Sequence, residues 1–134
     1  MMRNLGLMFL LTVILTNRNA YAQTKADIRY AKRLFEGNWI NKKAKRHLSI
    51  SFDYNDYVLI NDWHGKFSSD NNTIDAYKAF IEKEKLVMPE EKEDLHAPYC
   101  EILRKGNALL YRCKGMGPTA KVFIDEIWFV REKE

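Results

Sequence analysis

The sequence predicts a mainly β protein: a small antiparallel meander barrel of about eight strands with a short N-terminal helix. Three observations predict it. Apolar and polar residues alternate cleanly over residues 47–53, with Leu48, Ile50 and Phe52 on one side. The only cysteines, Cys100 and Cys113, bracket a segment whose centre, Gly106-Asn107, suits a two-residue hairpin turn. The chain also carries 3 Trp, 7 Tyr and 7 Phe, the bulky side chains that fill a small β core. One stretch, residues 74–86, also reads as a helix, which would make the fold α+β.

Residues 1–22 have the three parts of a signal peptide. Arg3 supplies the positive end, residues 5–16 are almost unbroken apolar sequence, and Ala20-Tyr21-Ala22 is a small-residue cleavage site before Gln23. As a helix the apolar run is about 18 Å long, short of the roughly 30 Å core of a bilayer. The expected mature chain is soluble, periplasmic or secreted, and has no transmembrane anchor. Its 112 residues, 23–134, make one domain. The leader holds Arg3 and Arg18 of the 22 basic residues, so 20 remain against 18 acids and the mature net charge is +2. That balance argues against a nucleic-acid partner.

The elements follow in order. Residues 24–35 predict a helix: Ile28, Ala31 and Phe35 recur at helical spacing, and Thr24 with Asp27 can cap it. Gly37 ends the helix. Its basic face, Lys25, Arg29, Lys32 and Arg33, is read as solvated. Residues 39–43 begin the strands, and residues 42–47 form a basic turn or strand end without stacking aromatics. Residues 47–53 and 57–61 form a hairpin about Tyr54-Asn55-Asp56. Asp62-Trp63-His64-Gly65 reads as a turn, Phe67 as the start of a short strand, and residues 68–72 as a polar loop. Asn71-Asn72-Thr73 matches a glycosylation acceptor. Residues 75–81 and 85–88 are read as two strands broken at Glu82-Lys83-Glu84, against the helical alternative.

Residues 89–94 form an acidic loop, and the cysteine hairpin follows. A type II′ turn at Gly106-Asn107 pairs Lys105 with Ala108. Counting outward, Ile102 faces Tyr111, Glu101 faces Arg112, and Cys100 faces Cys113. That last pair is non-hydrogen-bonded, where Cα atoms approach to about 4.5 Å, within disulfide range. Cys100, Ile102, Leu109 and Tyr111 then share the core face, while Glu101, Leu103, Leu110 and Arg112 share the outer one. Residues 114–118 read as a flexible loop with an exposed Met116. Residues 121–131 close the barrel, with Phe123, Ile127 and Phe129 on one face and Trp128 on the other. Asp125 shares the first face, which calls for a bulge midway.

Gly37-Asn38-Trp39, placed after a short helix at the start of the first strand, resembles the G-x-W signature of the lipocalin-like (calycin) barrels. In that family the tryptophan plugs the closed end and a late arginine packs across its ring. The resemblance implies that Trp39 and Arg131 form this pair. The nearest likeness is to short bacterial lipocalin-like proteins and small barrel-shaped inhibitors.

Catalytic patterns are not legible. His47, His64 and His96 have no H-E-x-x-H spacing, no serine lies in G-x-S-x-G, and no EF-hand loop or phosphate-binding glycine loop occurs. The expectation is no enzyme, no metal and no cofactor. The fold analogy points instead to binding of a small apolar or amphipathic ligand at a barrel mouth lined by some of Tyr57, Trp63, Tyr77, Tyr99, Tyr111 and Trp128. The alternatives are a protein-binding inhibitor or immunity-type module using residues 63–72 and 114–118, and a structural envelope protein.

Overall fold

The structure, a computed structural model, describes residues 24–66, 74–94 and 96–133. The leader with its cleavage site, the strand start at Phe67 and the acceptor at residues 71–73 lie outside the described residues.

Helix α1 (Lys25–Phe35) opens the described chain, with the Thr24 hydroxyl accepting from the Asp27 amide at 3.1 Å. Eight strands follow: β1 (Gly37–Asn41), β2 (Arg46–Ser51), β3 (Val58–His64), β4 (Asp75–Glu82), β5 (Lys85–Met88), β6 (Cys100–Lys105), β7 (Ala108–Lys114) and β8 (Phe123–Arg131). Each pairs antiparallel with the next and β8 pairs with β1, closing the barrel in meander order. This is the predicted class, consistent with the calycin barrels in general. Among the described residues, no helix is long and apolar enough to cross a membrane.

Residues 75–88 are two strands, not a helix. They meet at a turn where Lys83 adopts φ 56°, and Ala79 and Ile81 alternate inward. The helical spacing of Tyr77 and Ile81 is also even in number, so it serves a strand equally well. The cysteine hairpin has the predicted register, from Lys105↔Ala108 to Cys100↔Cys113. Gly106 takes φ 60°, and the disulfide joins Cα atoms 4.1 Å apart.

Four details differ from expectation. The first strand runs Gly37–Asn41, and residues 42–45 form the turn. Strand β3 continues through Asp62 and Trp63 to His64 because these residues pair with β2. The bulge opposite Cys113 and Lys114 turns Phe123 outward, against Arg112 and Tyr99, and leaves Asp125 on the inner face with Ile127 and Phe129. Residues 117–119 form a 3₁₀ turn tied to Met116, which is half-buried rather than exposed.

One end of the barrel is plugged. Trp39 and Phe35 are fully buried there, above a layer that includes Leu48, Ile60, Leu86, Ile102, Leu109 and Phe129. The Trp39 indole donates to the Phe35 carbonyl at 2.9 Å. Arg131 lies over its ring at 4.4 Å and Arg104 at 5.4 Å. The same two arginines donate to the carbonyls that α1 leaves open: Arg131 to Glu36 at 2.9 Å, and Arg104 to Leu34 at 2.6 Å.

Candidate functional site: a cavity at the open end

Strand direction places the 42–45, 89–99 and 115–122 connections together at the other end. There the interior is not filled. A cavity of about 1350 Å³ opens between the strands, lined among others by Arg46, Tyr77, Met88, Cys100, Tyr111, Cys113 and Ile127.

Its floor is an ion pair. Arg46 continues inward the alternation of Leu48 and Ile50, and Asp62 continues that of Val58 and Ile60. The guanidinium donates from Nε to Asp62 Oδ1 at 2.9 Å and from Nη2 to Oδ2 at 2.6 Å. It also reaches across the lumen, 5.0 Å from the Tyr111 ring and 5.8 Å from Phe129. The bond to Asp62 raises the Arg46 pKa against the opposing effect of burial. Arg46 is therefore a fixed cation, and Asp62, only 5 % exposed, is its counter-ion.

Two phenols stand on the walls. Burial raises the Tyr111 pKa, with Asp62 adding to it, and its hydroxyl donates to Met88 Sδ at 3.7 Å. Burial and then Asp75 raise that of Tyr77. Both are neutral donors at physiological pH. The disulfide faces the same lumen, since Cys100 and Cys113 alternate with Ile102 and Tyr111.

The wall is incomplete on one side. Strand β4 pairs with β5 only through Phe80, Ile81 and Glu82, whereas its ladder with β3 extends to Asp75. Above Phe80 it parts from β5, and the cavity reaches out between residues 76–78 and the 89–98 connection. Across that connection Glu91 and Ala97 form a reciprocal backbone pair at 2.9 and 2.8 Å.

The six aromatic residues singled out from sequence do not all meet. Tyr77 and Tyr111 line the cavity. Tyr57 stacks on Tyr54 at the closed-end turn, 4.8 Å between centroids. Trp63 stacks on His47 on the outer face at 5.2 Å. Tyr99 is outside as well, donating to Glu101 at 2.9 Å, and Trp128 is outside and 50 % exposed. Trp39 and Arg131 form the closed-end pair.

Sequence reasoning missed Arg46 as a lining residue, Asp62 as the counter-ion behind it, and Met88 as a second lining residue. Extending the alternation of Leu48–Ile50 back by two residues, and of Ile60 forward by two, would have found the first two. Among the described residues, no group of three His, Cys, Asp or Glu side chains is arranged to hold a metal ion. Comparisons with protein-family models, curated proteins and solved structures each find no match.

Proposed function

We propose that the chain is an exported, non-enzymatic binding protein of the lipocalin-like kind, taking a small amphipathic ligand into the open end of its barrel. The single observation that carries this is the division of the interior. Its closed half is packed solid around Trp39, and its open half is a cavity of about 1350 Å³. Cavities of this order accommodate small-molecule ligands. The walls mix apolar surface from Met88 and Ile127 with the donors Tyr77 and Tyr111, and the Arg46–Asp62 floor is polar. An amphipathic ligand fits that combination better than a purely apolar one, which would leave the floor unsolvated.

The test is titration with the fluorescent apolar probe N-phenyl-1-naphthylamine. Wild-type protein is expected to raise its emission saturably. Ile127→Trp, which fills the lumen, is expected to weaken binding by about tenfold, with folding checked by circular dichroism. No saturable binding by the wild type, of this probe or of an amphipathic one, would sink the reading.

A second reading, a protein-binding module, rests on the outer face of β8. Ile124, Trp128 and Val130 are each about half-exposed there (57 %, 50 % and 48 %).

A further inference from the structure

The charge of the residues that line the cavity is one-sided. Its lining includes the carboxylates Asp75, Glu90, Asp125 and Glu126, with Asp75 and Asp125 on inward-facing register positions beside Asp62 and Cys113. The cations there do not balance them. Arg46 is bound through two nitrogens to Asp62. Lys78 contributes to the lining, but its ammonium lies 4.7 Å over the Tyr57 ring, toward the closed end. Among the described residues, the ion pairs are Lys32–Glu36, Arg46–Asp62, His47–Glu132, Lys85–Glu101 and Arg112–Glu101, and none takes one of these four carboxylates.

We propose that the cavity selects a cationic amphiphile: a molecule with a protonated amine or quaternary ammonium head and an apolar body. This deepens the ligand-binding reading above and rests on it. The body lies along Met88, Ile127 and the disulfide. The head stays at the rim between Asp75 and Asp125, within reach of the Tyr77 ring, so it keeps part of its hydration while gaining attraction from both carboxylates and the aromatic face. An anionic head meets the reverse. The one inner cation is already neutralised, and the rim repels it. The low-dielectric walls focus this field into the opening and raise the local concentration of cations.

The experiment compares octylammonium, octanol and octanoate, three probes with one apolar body, by titration calorimetry at low ionic strength and below micellar concentrations. Octylammonium is expected to bind about tenfold tighter than octanoate, with octanol between them, because two rim carboxylates at partly screened distances supply about that difference. In Asp75→Asn/Asp125→Asn the two charged probes are expected to converge. Both residues are exposed, so the variant should retain the wild-type melting transition, which is measured alongside. Equal or tighter binding of octanoate by the wild type overturns the charge selection while leaving a ligand cavity in place. A preference that survives in the double variant overturns the assignment to these two carboxylates. Failure of all three probes, together with N-phenyl-1-naphthylamine, removes the ligand-binding reading itself.

Discussion

At the scale of single residues, the closed end depends on three residues whose roles interlock. A Cβ on Gly37, which has φ +127°, would come within 3.0 Å of Arg131 Nη1. The glycine of the G-x-W pattern thus leaves room for the arginine that covers the tryptophan. Trp39→Ala removes a fully buried ring and is expected to cost about 3–5 kcal/mol in urea denaturation. Arg131→Ala should cost less. The double variant should fall short of the sum by about 1 kcal/mol, since the cation–ring contact is shared; strict additivity would show that the contact contributes nothing.

Glu101 is the other residue whose environment decides its effect. It lies on the outer face yet is only 2 % exposed, receiving Lys85 at 2.9 Å, Arg112 Nε at 2.7 Å and Tyr99 at 2.9 Å. Burial pushes its carboxyl up, and the three hydrogen bonds outweigh burial, so the net shift is downward. A depressed carboxyl stabilises the fold above its unfolded pKa and loses that contribution as pH falls through the folded value. Glu101→Gln is therefore expected to cost about 2 kcal/mol at neutral pH. The gap from wild type should close as pH drops below the ordinary carboxylate range. Parallel stability curves down to strong acid would contradict this.

At the scale of elements, the cysteine hairpin shows how far local rules reach. The Gly106-Asn107 turn sets the pairing, the pairing sets the faces, and the faces bring Cys100 opposite Cys113. Reduction of the disulfide is expected to lower stability by about 2–4 kcal/mol, since it releases a loop of 13 residues' separation. Comparison of melting curves with and without reductant measures it, and the Cys100→Ser/Cys113→Ser variant should match the reduced protein. The β7–β8 hairpin shows where local rules stop. A bulge was legible from Asp125 among apolar neighbours, but its position was not. That position turned Phe123 out to the Arg112 side chain and left Asp125 at the cavity.

At the scale of the molecule, the barrel is an unequal container, filled at one end and open at the other. Residues from β2, β3, β7 and β8 meet only because the sheet closes, which puts Arg46 over Tyr111 although 65 positions separate them in sequence. The early separation of β4 from β5 then opens one side of the cavity. The expected probe binding and its preference for a cation are consequences of this closure.

Residues 74–86 read in the sequence as either a helix or two strands, but a mainly β fold, the cysteine register and, by resemblance, the pairing of Trp39 with Arg131 were legible there. Each rests on strand period, turn chemistry or a short motif, which act over a few residues or carry a resemblance. Which aromatics face the lumen is set by the closed barrel alone, because a ring's side depends on register and on bulges. Only the tertiary structure revealed a buried Arg46–Asp62 floor, since charged residues at strand ends read as solvent-exposed until closure desolvates them. It also placed Tyr57, Trp63, Tyr99 and Trp128 away from the cavity, leaving Tyr77 and Tyr111 beneath a rim of carboxylates.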